Sequence, residues 1–143
     1  MNVAIDYHST ITRYPVVFAH IARWAKNAGH QVFIISAAHP ACRSWVENDL
    51  KYWGIPYDYL IFPNHVEGPF LDFEEAKRWK TLQFAKHHIA LVFDDNPALL
   101  ETVPGRLLLV REGDDSTTGN CCFATCSRAR LRGTTCAPGV NGR

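Results

Sequence analysis

No uninterrupted apolar run in this chain approaches the roughly 20 residues that a membrane-spanning helix needs, so no membrane anchor is expected. A basic leader is missing too. Met1-Asn-Val-Ala-Ile-Asp has no lysine or arginine and meets a carboxylate at position 6, which argues against a secretory signal and makes a cytoplasmic protein the expectation. Cysteine is scarce where a folded body would use it. Of the five, Cys42 stands alone in a helical pattern, and Cys121, Cys122, Cys126 and Cys136 fall near the end, so a disulfide framework for the body is excluded. Nor is there an excess of charge of one sign. A net charge of +1 gives no global attraction to nucleic acid or to a membrane surface.

What is present is enough for one domain. A chain of 143 residues, 47% hydrophobic and 20% charged, is ordinary for a soluble globular protein. At that size about two thirds of the unfolded surface can be buried. The composition changes near residue 112. Residues 1–112 form the expected domain, and residues 113–143, with five glycines, clustered Ser and Thr, four cysteines and four arginines, show no apolar periodicity and read as a disordered tail. The tail cysteines match no paired zinc-ligand spacing and have no histidine nearby. Arg128, Arg130 and Arg132 lack interleaved aromatics and are a weak nucleic-acid signal.

Within the domain, short apolar runs alternate with helical patterns. Val3-Ala-Ile5, Val32-Phe-Ile-Ile35, Tyr59-Leu-Ile-Phe62, Ile89-Ala-Leu-Val-Phe93 and Leu107-Leu-Leu-Val110 read as five buried strands. Pro15 to Gly29 spaces Val17, Ile21, Trp24 and Ala28 as a helix. A second runs from Pro40 with Cys42, Trp45, Val46, Leu50 and Trp53 on one face, ended by Gly54. A third is capped by Asp72, with Glu74 and Glu75 in its first turn and Ala76, Lys77, Trp79, Lys80 and Leu82 along it. Asn96 and Pro97 start a short helix through Leu99, Leu100 and Val103. Trp24, Trp45, Trp53 and Trp79 read as packing. Residues 63–71, with two prolines and a glycine, read as a loop over the carboxyl edge of the sheet. Strands joined by helical crossovers predict an α/β fold, a Rossmann-like doubly wound sheet of about five mainly parallel strands.

Three of those strands end in polar groups: Asp6 with His8 and Thr10, then Ser36, then Asp94 with Asp95. In open α/β sheets ligands bind at the carboxyl ends of strands, at a topological switch point. A magnesium ion takes one or two carboxylates with phosphate oxygens and water, which Asp6 and Asp94 can supply if their strands are neighbours. A lysine, Lys77 or Lys80, would neutralise phosphate charge, and Ser36 would hold a phosphate oxygen. The adjacent pair His87-His88 points in two directions on a helix and reads as a solvated helix end.

The order strand then Asp6-x-x-x-Thr10, strand then Ser36, a lysine, and strand then Asp94-Asp95 resembles the haloacid dehalogenase (HAD) superfamily over residues 1 to about 110. The resemblance implies a magnesium-dependent phosphohydrolase in which Asp6 is the nucleophile and forms an aspartyl-phosphate. It implies that Asp94 and Asp95 bind the metal with Asp6 and the main-chain carbonyl of His8. Ser36 would bond a phosphoryl oxygen, Thr10 brace the turn and Lys80, preferred to Lys77, meet the phosphate. One position departs from the pattern. Where the family's phosphatases have a second aspartate, this chain has His8, a group able to donate and accept protons near neutral pH. The departure leaves two outcomes: a histidine acid and base, or a catalytically degenerate domain that binds metal or a phosphorylated partner.

No cap domain fits between Asp6 and Ser36 or between Ser36 and Lys80. The resemblance implies an open site, since capless relatives tend to act on macromolecules or to form their lid from a partner subunit of a homo-oligomer; the expected substrate is a phosphorylated small molecule, with a nucleic-acid end as the further alternative. Arg13, Tyr14, His39, Asn64 and His65 lie near the motif ends and are candidates for further substrate contacts.

Overall fold

The computed structural model describes residues 1–68 and 70–99 in full and 106–109 as backbone. The chain runs β1 (Asn2–Asp6), α1 (Pro15–Asn27), β2 (Gln31–Ile35), α2 (Arg43–Tyr52), β3 (Tyr59–Ile61), α3 (Phe73–Lys86), β4 (Ile89–Asp94) and β5 (Arg106–Leu109). The strands form one sheet in the order β3-β2-β1-β4-β5, every pair parallel. The chain winds outward from β1 to β3, returns to the other side of β1 at β4 and continues to β5. The switch in direction therefore lies between β1 and β4.

Period-two alternation divides the buried side chains between two faces. Val3, Ile5, Val32 and Ile34 pack with Phe18, Ala22, Val46 and Leu50 of α1 and α2. Ala4, Phe33, Ile35 and Val92 pack with Phe84 of α3 and with Leu99. Helices on both faces make the sheet doubly wound, as expected. Between β1 and β2, and between β2 and α3, the described residues hold no inserted cap. Among them no helix is long and apolar enough to cross a membrane.

The start and stop signals fall close to the observed ends. Pro15 opens α1, and Gly29, at φ +76°, lies just past its end. Asp72 caps α3 with a full capping box: its side chain accepts from the Glu75 N–H, and the Glu75 side chain accepts from the Asp72 N–H. The helix expected from Pro40 is a 3-10 turn over Pro40–Cys42 that leads into α2. The helix started by Asn96 and Pro97 is a 3-10 turn over Pro97–Leu99, and the rest of that expectation lies outside the described residues. So do residues 113–143 and the readings made of them.

One helix turns a different face inward. The buried side of α1 is Phe18, Ala19, Ala22 and Ala25, while Val17 and Trp24 are 52% and 55% exposed. Trp24 is therefore not core packing. Three alanines let the helix axis approach a parallel sheet closely, an arrangement that a stripe chosen for large residues misses. Trp45 and Trp53 pack against the first cluster and Trp79 against the second, as expected.

Asp58 ties the amino-terminal end of the sheet together. Its carboxylate accepts from the N–H of buried Val32 at 2.7 Å and pairs with Lys26 at the end of α1. Partial burial pushes the Asp58 carboxyl up, but the Lys26 and Val32 hydrogen bonds outweigh it and hold it below the usual carboxylate range. Asp58→Ala should destabilise the protein by about 1–2 kcal/mol, because it leaves the Val32 N–H unsatisfied. Asp58→Asn, which keeps an acceptor and loses only an exposed ion pair, should cost about 0.5 kcal/mol. A depressed folded-state pKa contributes stability above the unfolded-state value that is lost as pH falls through the folded-state value. The difference between wild type and Asp58→Asn in urea unfolding should therefore shrink below pH 4, the acid side of the ordinary carboxylate pKa of about 3.9.

Candidate active site

β1 delivers Asp6 to the carboxyl edge, and the next residues fix its direction. Tyr7 is fully buried, and its hydroxyl donates to Asp49 of α2 at 2.5 Å. Its ring meets Trp45 edge-on and stacks with Trp53. The chain then reverses within Tyr7–Ile11, through an extended His8 at ψ 137° and Ser9 at φ +60°. A left-handed non-glycine residue costs about 1–2 kcal/mol. The turn is held by the Ser9 N–H donating to Thr12 Oγ1 at 3.0 Å and the Thr12 N–H donating to the Tyr7 carbonyl at 3.1 Å. Thr10 is fully buried inside this turn, and its hydroxyl has no hydrogen-bond partner among the described residues.

Pairing of Ile5 with Phe93 sets Asp94 level with Asp6 across the switch. Asp94 Oδ1 accepts from the Asn96 N–H at 2.9 Å, which fixes the rotamer, and Asn96 Oδ1 in turn caps Ala98. Asp95 follows, half-buried. From α3, on the other face of the sheet, Lys80 brings its ammonium to 2.7 Å from Asp6 Oδ1 and 2.7 Å from Asp94 Oδ2. Asp6, Lys80 and Asp94 are 5%, 6% and 1% exposed. Lys77, one turn earlier, is half-buried, and its carbonyl accepts from the Thr81 hydroxyl. Lys80 is thus the lysine that lies at both carboxylates.

β2 ends beside β1, and Ser36 follows it, fully buried. Ser36 Oγ accepts from the Ala38 N–H at 3.3 Å and lies 3.2 Å from His8 Nδ1. The other ring nitrogen of His8, Nε2, is buried and has no partner among the described residues. Tyr7 and Phe70 meet the His8 ring edge to face at 4.9 Å and 4.8 Å. Phe70 arrives through the loop that follows β3. That loop returns over the end of β2 as expected, with the Leu71 N–H donating to the Ala37 carbonyl and an antiparallel bridge between Phe70 and Ala38. Sequence patterning gave no reason to choose Phe70, because a single aromatic in a Gly- and Pro-containing loop has no period.

The expected outer contacts spread out. Arg13 lies over the Tyr14 ring, and His39 Nδ1 accepts from the Ala41 N–H as the cap of the 3-10 turn. Asn64 and His65 are exposed, with His65 lining a cavity of about 440 Å³ that Glu67, Phe70, Asp72 and Glu75 also line.

Two buried carboxyl groups share one ammonium, so the second ionises only against burial and the charge of the first. Burial, offset in part by Lys80 and reinforced by Asp94 and Asp95, pushes the Asp6 carboxyl up to about 8. Lys80 is held above the usual lysine range, because the two carboxylates outweigh its burial. Burial first, then the Lys80 charge, pushes His8 down to about 4, so the ring is neutral at pH 7. Among the described residues no three His, Cys, Asp or Glu side chains gather into a metal cage. A hard divalent cation does not need one: it keeps several waters and takes one or two carboxylates. Asp6 and Asp94, side by side at the edge with Asp95 next in sequence, are carboxyl groups that fit that demand once ionised.

A carboxyl group whose folded-state pKa is raised stabilises the protein below its unfolded-state value and loses that contribution as pH rises toward the folded-state value. With Asp6 raised from 3.8 to about 8, the metal-free protein should melt at a lower temperature at pH 8 than at pH 6. Magnesium at millimolar concentration should remove most of that difference, since it favours the ionised carboxylates. Thermal scans at the two pH values, with EDTA or magnesium, check this. An unchanged melting temperature across all four conditions would mean that the cluster takes up neither proton nor metal.

No family model matches the sequence, and no curated protein sequence matches it. Among solved structures, a chain of the Pnkp1/Rnl/Hen1 RNA repair complex is similar over 80% of this chain and 43% of its own length, with 19% identity and a TM-score of 0.62. A chain in a second structure of the Pnkp1/Rnl/Hen1 complex is similar over 80% of this chain and 47% of its own length, with 19% identity and a TM-score of 0.58. The protein spans less than half the length of either chain. At that identity the likeness is one of fold, an α/β architecture with a parallel sheet.

Proposed function

We propose that this protein is a magnesium-dependent phosphohydrolase that cleaves a phosphomonoester through an aspartyl-phosphate on Asp6. The observation that carries the reading is the buried cluster at the switch between β1 and β4, where Asp6 and Asp94 each lie 2.7 Å from the Lys80 ammonium. A nucleophilic carboxylate needs an electropositive partner for the phosphoryl oxygens it approaches, and Lys80 supplies one without solvent competition. Asp6, Asp94, Asp95 and the His8 carbonyl would hold magnesium, which would supply charge neutralisation for the transferring phosphoryl group. The chain's own residues do the rest. Ser36 donates to a phosphoryl oxygen, and Thr10, buried in the turn that aims Asp6, accepts the Tyr14 N–H on its main-chain carbonyl. An Asp6 carboxylate oxygen attacks phosphorus, the P–O ester bond breaks, and the leaving oxygen takes a proton from water. Water then hydrolyses the acyl phosphate, releasing inorganic phosphate and regenerating Asp6.

A nucleic-acid end is the substrate class that the fold neighbours favour, since one of them belongs to the Pnkp1/Rnl/Hen1 RNA repair complex. Glu67, Asp72 and Glu75, which line the cavity beside Phe70, would repel a phosphodiester backbone on that side of the site. Phosphate release from an aryl phosphate and from 3′- and 5′-phosphorylated oligonucleotides, with magnesium and with EDTA, tests the reading. Release that requires magnesium supports it, and a preference for oligonucleotides assigns the class. Absence of release from every substrate would leave the HAD-like domain as a binding module.

A further inference from the structure

His8 stands where an acid and base would act, yet its ring faces away from that task. Nδ1 lies 3.2 Å from Ser36 Oγ, whereas Nε2 is buried without a hydrogen-bond partner among the described residues, with the Tyr7 and Phe70 rings edge to face against the imidazole. A neutral imidazole carries its single proton on one nitrogen or the other. If Nε2 carried it, a buried N–H would be orphaned, and such groups are rarer in proteins than underused acceptors. Nδ1 would then have to accept from the Ser36 hydroxyl. That arrangement would commit the Ser36 proton to His8 and leave none for a ligand. With the proton on Nδ1 both penalties vanish. Ser36 Oγ then accepts twice, from His8 Nδ1–H and from the Ala38 N–H, which uses both of its lone pairs. Among the described residues its hydroxyl proton has no other acceptor, and Ser36 directly follows Ile35, the residue of β2 paired with Asp6.

Resting on the phosphohydrolase reading, we propose that His8 is a positioning residue whose Nδ1–H orients the Ser36 hydroxyl as a donor to a phosphoryl oxygen. Nε2, unprotonated under its aromatic cover, gives no proton to the leaving group. The leaving oxygen is therefore protonated by water, and esters of weakly basic alcohols are turned over faster than alkyl esters.

The tautomer is directly measurable. In the full chain labelled with ¹⁵N-histidine, long-range proton–nitrogen correlation at pH 7, with His8 assigned by its absence in His8→Asn, should show a protonated Nδ1 and an unprotonated Nε2. The pattern should hold in the free protein and with magnesium and inorganic phosphate. A proton on Nε2, alone or with Nδ1, would overturn the proposal. This readout does not need turnover, so it decides the matter even if no phosphate release is found and the phosphohydrolase reading fails. With activity, two variants add a second test. An asparagine side chain can place a donor near the Nδ1 position and a glutamine near Nε2. The KM for an aryl phosphate should rise about tenfold more in His8→Gln than in His8→Asn, the worth of one hydrogen bond to a charged ligand. Equal loss of kcat in both variants with KM unchanged would mark His8 as the proton donor instead and overturn the assignment.

Discussion

Asp6→Asn should abolish magnesium-dependent phosphate release, with a loss on the order of 10⁴-fold or more, the scale seen when a covalent nucleophile is removed. The substitution is nearly isosteric, so packing beneath the strand end is kept. Its effect on stability should have the opposite sign. Asp6 is a buried carboxylate pushed up to about 8 by desolvation and by Asp94 and Asp95. A neutral amide relieves that repulsion and leaves Lys80 paired with Asp94 at 2.7 Å. The metal-free variant should therefore melt at or above the wild-type temperature at pH 8. A silent variant that is also unfolded would say nothing of chemistry. One that is silent and at least as stable assigns the reaction to this carboxylate. Full activity in Asp6→Asn would end the covalent mechanism.

Lys80→Met should give the largest loss of stability. Removing one partner of a buried ionic cluster leaves the others uncompensated, at a cost of about 3–5 kcal/mol. Here two carboxylates would face each other at the edge, with exposures of 5% and 1%. Methionine fills most of the space of the lysine stem, so the loss would be electrostatic and not a cavity effect. Two signatures separate these causes. The deficit should grow as pH rises from 6 to 8, as the second carboxyl ionises, and millimolar magnesium should recover part of it by taking the place of the ammonium charge. A cavity would respond to neither. Equilibrium urea unfolding at both pH values, with and without magnesium, reads all four quantities. A deficit below about 1 kcal/mol, within the range of exposed ion pairs, would mean the cluster is far better solvated than its burial implies.

Much of the fold was legible because each strand is a short apolar run, three of them stopped by a polar residue, and a parallel sheet buried on both faces imposes such runs. The ends of β1, β2 and β4 could be read as one edge for the same reason: in a parallel sheet all carboxyl ends lie together. The choice between Lys77 and Lys80 could not be made from sequence. Both fall in α3, and only its docking on the Phe84 and Leu99 face sends Lys80 to the carboxylates. The inward face of α1 was misread because hydropathy rewards size, whereas the space between helix and sheet admits Ala22 and Ala25 and leaves Trp24 outside. His8 was legible as a departure but not in its orientation. Phe70 and the Tyr7–Asp49 bond, which fix the surroundings of that ring, depend on contacts across the chain that have no local pattern.

The central position of β1 also bears on how the chain is made. Lys80 closes on Asp94 across 14 residues but reaches Asp6 across 74. During synthesis, β1 can pair on one side with β2 early, while its other edge waits for β4 to emerge. Until then a strand with an apolar centre, Val3-Ala-Ile5, presents open backbone donors and acceptors, the kind of edge that nascent and refolding chains lose to aggregation. Contacts of wide sequence separation form slowly, so the Asp6–Lys80 pair is expected to close after the contacts within the amino-terminal half. Refolding from urea should then show the Trp45 and Trp53 environment recovering before any metal-dependent signal. Coexpressed chaperones should raise the yield of full-length protein more than slower growth alone.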